Sequence, residues 1–338
     1  MNKSKELENC NFVKLLLTLS VVLYHSVAYW KGGWFYKEPS EPSEILRYIA
    51  IWLNTFHIYG FVIVSGYIFQ AMKNERNQYQ NYIAFLINKA RRLIVPLCFT
   101  SLVWAAPFYK IFFKPTVQVL VKKFVLMESP SQLWFLGMLF VVFTLYWPIS
   151  SFVNRNWVAG GVLALFAYCA GLAGSKFFPN VFQVWTGMKY LIFFYTGCYL
   201  RKSENKFLYK LPSWLYLLLD AALFTSWIYI DGLNIKVLTV GWNLVLCMAG
   251  GVSAFIIFQR IAQQTIVEKS WAKFGCKHGM TIYLFHQQII YVTLFLLDGC
   301  VNPYLMVLVN LVGSIVVSSL ISIIADRFPI MRFLTTGR

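Results

Sequence analysis

Charge is what this 338-residue chain has least of: Asp, Glu, Lys and Arg together make up 13% of it, about half the share found in an ordinary soluble domain. Acidic residues are scarcer still, 13 against 30 Lys and Arg, for a formal net charge of +17. So little polar surface excludes a water-soluble globular fold. No stretch is polar enough to form a separate soluble domain. No low-complexity tract or flexible linker divides the chain, and no internal repeat marks the two halves of a carrier. The seven cysteines (Cys10, Cys98, Cys169, Cys198, Cys247, Cys276 and Cys300) include no CxxC pair. That removes the common zinc and dithiol spacings. Walker, HExxH and GxSxG sequences are missing as well, so no metal cofactor is expected and the P-loop and hydrolase-elbow templates find no support. The first apolar run lacks a signal-peptidase site and reads as a retained span.

What fills the chain is apolar: 59% hydrophobic and 18% aromatic residues, with a mean hydropathy of +0.60. A helix needs about 20 mostly apolar residues to cross a bilayer. Ten runs approach that length, at 12–30, 48–71, 93–112, 133–151, 157–174, 186–200, 212–230, 237–258, 280–297 and 303–324. The sixth is short enough to be tilted or re-entrant. In lipid, such runs satisfy their backbone only as helices. The expected fold class is all-α: a polytopic transmembrane helical bundle of about ten spans, with 1–338 as one integral-membrane domain and no appended soluble domain. Cations gather in alternate connections, among them Lys89, Arg91, Arg92, Arg201, Lys202, Arg260 and Arg327. By the positive-inside rule both termini are expected in the cytoplasm. Lys110, Lys114, Lys122 and Lys123 run against that bias and suggest an amphipathic segment on the outer surface. The positive charge is read as contact with anionic headgroups of the lipid bilayer and not with nucleic acid.

Polar residues inside spans are costly and each needs a reason. Of four histidines, His25, His57 and His286 fall inside apolar runs. A membrane histidine can be interhelical packing glue, but three in one chain point to function. Lys14 and His25 are eleven residues apart, which is three helical turns plus about 20° and an axial rise of about 16 Å. One helix face therefore carries a cation at the rim and an imidazole deep in the bilayer. That arrangement suits an anionic cofactor held at the rim with its reactive end reaching inward; alternatively Lys14 is an ordinary snorkelling anchor. Gly60, Ser65 and Gly66 permit close helix approach. Lys89, Arg91 and Arg92 precede Pro96 and match phosphate oxygens as well as a topology signal. Tyr283–Gln288 is a polar knot within apolar sequence, and Asp220 is a carboxylate midway along a span.

These residues together resemble acyltransferase family 3, membrane proteins that move acetyl or other acyl groups onto sugars of envelope polysaccharides. Lys14 and His25 are similar to the family's basic-x10-His motif. Phe56-His57 followed by Ser65-Gly66-Tyr67 resembles its FHMPLFFFLSGY stretch. Lys89-Ala-Arg-Arg92 with Pro96 resembles its basic cluster before a proline, and Gln132-Leu-Trp134-Phe-Leu136 its HLWFL motif. Phe194, Tyr195 and Gly197 resemble its FxxxGYYL stretch, and Gly279–His286 its SLGIYLLH motif. The likeness runs from residue 11 to about 290. Gln132 stands where many members have His, and Lys14 where Arg is commoner.

The resemblance implies an O-acetyltransferase of the bacterial cytoplasmic membrane, working on a cell-surface polysaccharide or a lipid-linked glycan precursor. Acetyl-CoA is the expected acyl donor, with Lys14, Lys89, Arg91 and Arg92 on its phosphates. His25 acts as general base or transient acyl acceptor, with His57 and His286 as further catalytic candidates. Ser65, Trp134 and Tyr283 are expected to bind substrate. The competing expectation is a proton-coupled transporter or polysaccharide exporter, which buried histidines and Asp220 would also suit.

Overall fold

A segment immersed in hydrocarbon must satisfy its backbone within itself, and these apolar runs do so as helices. The computed structural model describes residues 3–202, 207–263 and 265–338, and every named element among them is helical. In chain order these are α1 (Lys3–Val27), α2 (Glu44–Leu53), α3 (His57–Gln70), α4 (Tyr82–Thr100), α5 (Ala106–Phe113), α6 (Val117–Leu120), α7 (Trp134–Arg155), α8 (Trp157–Phe177), α9 (Val184–Lys202), α10 (Phe207–Lys210), α11 (Ser213–Gly232), α12 (Lys236–Ala262), α13 (Ser270–Leu297), α14 (Pro303–Asp326) and α15 (Pro329–Thr336). Nine helical stretches among the described residues are long and apolar enough to cross a membrane. The expected run at 186–200 is present as α9 but is not one of the nine. Lys189, Arg201 and Lys202 lower its hydropathy, and neighbouring helices shield it.

α1 is central, packed against α2, α3, α12, α13 and α14. α11 is peripheral: Leu217, Leu218 and Leu219 are exposed where lipid would lie. The closest crossing is α3 on α9. A Cβ on Gly66 would stand 2.1 Å from the Phe194 carbonyl oxygen, and one on Gly197 would stand 2.0 Å from that of Ile63. Only glycine allows the two backbones to touch here, as membrane helix packing favours.

Both ends of the bundle are tied by buried or half-buried charges. At the end where α1 begins, Arg201 forms a fork with Glu75 at 2.6 Å and 2.7 Å and pairs with Glu6 at 2.5 Å. The Tyr67 hydroxyl, in the Ser65-Gly66-Tyr67 motif, donates to the same Glu6 carboxylate. Burial pushes the Glu6 carboxyl up, but the bonds from Arg201 and Tyr67 outweigh it and hold the group below its ordinary value. α15 lies at this same end, which we call the basic end. At the far end, a strap over residues 32–43 is pinned by Asp298, just past α13. Asp298 takes Lys37 at 2.9 Å, the Ser40 hydroxyl at 2.8 Å and the Tyr29 hydroxyl at 3.0 Å.

The run expected as one span at 48–71 lies within one of the nine stretches, Glu44–Glu75, with a turn inside it. The chain turns at residues 54–56 between α2 and α3. A break within a membrane protein leaves helix-end carbonyls without partners. His57 supplies one, its Nδ1–H donating to the Leu53 carbonyl at 2.6 Å, and the Thr55 hydroxyl donates to the Trp52 carbonyl at 2.7 Å. The connection expected as an outer amphipathic segment forms short helical turns over 117–125. It turns Lys123 inward over the Tyr109 ring, 4.6 Å from its centroid.

Candidate active site

Three of the four histidines converge between α1, α3 and α13. His286 Nδ1 lies 2.8 Å from the Tyr283 carbonyl oxygen and 3.1 Å from that of Ile282. Carbonyls only accept, so Nδ1 carries the hydrogen and His286 Nε2 is left with its lone pair. His25 Nδ1 stands 2.7 Å from that Nε2, and must therefore donate to it. The remaining nitrogen of His25, Nε2, is the basic one and has no protein partner among the described residues. The two α13 carbonyls thus set the tautomer of His25 through His286. The rings stack at 4.9 Å between centroids, with Trp34 from the strap 5.7 Å from His25 on a near-parallel plane. His57, its Nδ1 committed to Leu53, stacks on Tyr24 at 4.8 Å.

His25 and His57 line a cavity of about 410 Å³, together with Trp34, Trp134, Tyr283 and Gln287. Gln287 donates to the Tyr291 hydroxyl, and its side-chain oxygen is buried without a partner. It offers an acceptor to a hydroxyl-bearing ligand. Lys123 and Ser129 bring this cavity to the far-end connection. Burial pushes the Lys123 ammonium below its ordinary value.

On the other side of Tyr283 the sequence of cavities continues. A space of about 200 Å³ is lined by Tyr283, Phe135, Leu136, Lys14 and Arg338. Beyond it, at the basic end, lies a cavity of about 300 Å³ lined by Lys14, Ser65, Lys89, Arg92, Arg332 and Arg338 among others. Tyr283 is shared by the first two cavities, and Lys14 and Arg338 by the last two. The helix carrying Lys14 and His25 is unbroken, so both residues present one face to this line of cavities.

The residues singled out in the sequence therefore fall into two groups. His25, His57, Trp134 and Tyr283 surround the far cavity, and His286 lies directly behind His25. Lys14, Lys89, Arg92 and Ser65 line the basic cavity; Ser65 is there and not beside the histidines, its hydroxyl donating to the Phe61 carbonyl at 2.8 Å. Lys89 is set among aromatic rings, 4.1 Å from the Phe143 centroid and 4.9 Å from that of Tyr79, where a half-buried cation gains from ring quadrupoles. Arg91 is exposed and lines none of these cavities. Gln132 has its amide occupied: it donates to the Leu284 carbonyl at 2.7 Å and to Gln288 at 2.8 Å, and the Tyr283 hydroxyl donates to its backbone carbonyl. It braces α13 and leaves no free group for chemistry. Trp34, Gln287, Arg332 and Arg338 were not picked out from sequence. Gln287 was visible only as part of a polar knot, Arg332 and Arg338 only as cations counted toward the cytoplasmic side, and Trp34 carried no local signal.

Fold and cavities define a multi-pass membrane protein with a polar, histidine-lined cavity inside its bundle and a cation-lined cavity at one end. The profile of the acyltransferase 3 family, described as an acyltransferase domain, matches residues 7–326, beyond both limits of the motif likeness. The chain belongs to that family and is a membrane acyltransferase. No curated protein and no solved structure matches it.

Proposed function

We propose that this protein is an O-acetyltransferase of the bacterial cytoplasmic membrane. It takes acetyl from acetyl-CoA at the cytoplasmic, basic end, and delivers it to a hydroxyl of a cell-surface polysaccharide or its lipid-linked precursor. The observation that carries this reading is the line of cavities from the cations to His25, with Tyr283 at the junction. The donor's phosphates rest among Lys14, Lys89 and Arg92, with Arg91 at the rim. The about 16 Å rise from Lys14 to His25 is of the order of an extended pantetheine arm, so the thioester reaches the imidazole. The acceptor sugar enters the far cavity, where Trp34 and Trp134 offer flat faces to its ring and Gln287 an oxygen to its hydroxyl.

His25 Nε2 is the base. It takes the proton from the acceptor hydroxyl as that oxygen attacks the thioester carbonyl carbon. The carbon–sulfur bond breaks, and the imidazolium returns its proton to the departing thiolate. His286 holds His25 in the tautomer this requires, and His57 stands beside the acceptor. Membranes carrying the protein are expected to transfer label from radioactive acetyl-CoA to surface glycan, and cells lacking it to yield glycan short of acetyl groups by mass spectrometry. An unchanged glycan would refute the acceptor assignment.

A further inference from the structure

The basic cavity is built from more than the cations just used. Lys14 comes from α1, Lys89 and Arg92 from α4, Lys277 from α13, Arg332 from α15, and Arg338 from the residues after α15. Six cationic side chains face about 300 Å³ of space together with one carboxylate side chain, Asp326, and that carboxylate is already paired with Lys277 at 2.7 Å. None of Lys14, Lys89, Arg92, Arg332 and Arg338 has an acidic partner among the described residues. Arg201 nearby shows the contrast, since it is committed to two glutamates. So many like charges around one cavity, contributed by four helices and a tail, with Arg92, Lys277, Arg332 and Arg338 exposed at its rim, make a favourable seat for an anion of several charges.

α15 is held in place for this. Gly337 has φ +66° and closes the helix with its N–H on the Phe333 carbonyl at 2.7 Å, a left-handed cap that glycine adopts without strain. A Cβ there would stand 2.1 Å from the Arg91 carbonyl oxygen and 2.7 Å from the Arg92 Cα. The end of α15 is therefore laid directly on the backbone of the Lys89–Arg92 segment, and the reversal at Gly337 brings Arg338 to line two cavities, the basic one and the passage toward Tyr283.

We propose that α15 and Arg338 are part of the donor site: Arg332, Arg338 and Lys277 join Lys14, Lys89 and Arg92 in a cradle for a polyphosphate, with Arg338 at the mouth of the passage to His25. The proposal rests on the donor reading given above and extends it to a segment outside the matched family region. Coenzyme A, with its diphosphate and its 3′-phosphate, has the multiple charges this cradle calls for. Arginine forks bind phosphate oxygens in pairs. An anionic lipid headgroup shares part of that chemistry and is the competing occupant.

The test is equilibrium binding of coenzyme A to the purified full chain in nanodiscs of phosphatidylcholine, repeated with phosphatidylglycerol added. Arg332→Ala and Arg338→Ala are each expected to weaken coenzyme A binding about tenfold or more, Arg338→Lys to recover part of the loss, and added phosphatidylglycerol to compete little. A well-folded Arg338→Lys that binds while Arg338→Ala does not separates lost charge from lost fold. Gly337→Ala, which unseats the turn, is expected to weaken binding with every cation still present. If the native protein binds coenzyme A and the arginine variants bind equally well, the inference fails and the donor reading stands. If the native protein binds phosphatidylglycerol at these residues but not coenzyme A, or binds neither, both fall.

Discussion

At the scale of the residue, the proposed chemistry depends on which nitrogen of His25 carries a hydrogen. Two backbone carbonyls of α13 decide it, through His286, and this is why the imidazole pair needs no carboxylate. Removing the base in His25→Ala is expected to lower acetyl transfer by about 10²- to 10⁴-fold, read as initial rate with protein level and binding of coenzyme A unchanged. His286→Ala leaves the base in place but frees its ring and its tautomer. It is expected to lower kcat about ten- to a hundredfold with little change in KM for acetyl-CoA, and equal loss in both would argue against a positioning role. The sequence made His25 legible because its spacing from Lys14 has a geometric consequence on any helix. It did not assign roles among the three histidines, since pairing of His25 with His286 spans 261 positions and no local pattern records it. His57 was read as a site residue from its place in an apolar run. The helix break that employs its Nδ1 was hidden because residues 54–56 carry neither proline nor glycine.

At the scale of the element, two devices hold the chamber. The first is the α3–α9 contact. Gly66→Leu is expected to cost about 3 kcal/mol or more, because no rotamer relieves a side chain driven into a facing backbone; a thermal midpoint equal to that of the native protein would contradict the packing. Close approach at Gly66 was foreseeable from the run Ser65-Gly66, whereas its partner Gly197 lies 131 positions away and only the fold pairs them. The second is the strap that lays Trp34 on His25. Burial pushes the Asp298 carboxyl up, but Lys37, Ser40 and Tyr29 together hold it below its ordinary value. A carboxyl depressed in the folded state gives its full stabilisation above the unfolded pKa of about 3.9, and that stabilisation is lost as pH falls through the folded value. Amide exchange over residues 32–43, corrected for intrinsic rates, is expected to stay slow from neutrality to about pH 5 and to rise below about pH 4. In Asp298→Asn it is expected to be fast throughout. A strap equally protected in that variant would show that other contacts secure it.

At the scale of the whole molecule, the bundle is a partition with a histidine-lined cavity inside it. Cations collect at one end, an aromatic and amide-lined cavity opens toward the other, and Tyr283 stands where the two meet. Composition established the membrane class, and the apolar runs located most of the long helices, because hydrocarbon leaves the backbone few alternatives. The division into two chambers was not readable, since it follows from how α1, α4, α13 and α15 are packed together. Sidedness is the central claim: donor from the basic end, base in the middle, acceptor from the far end. The most direct measurement uses sealed proteoliposomes holding acceptor glycan on one face only, with labelled acetyl-CoA supplied to either face in separate samples. The account predicts label on glycan only when donor meets the basic end, and none with His25→Ala in either arrangement. Transfer of equal rate from both faces, or undiminished transfer by His25→Ala, would contradict it.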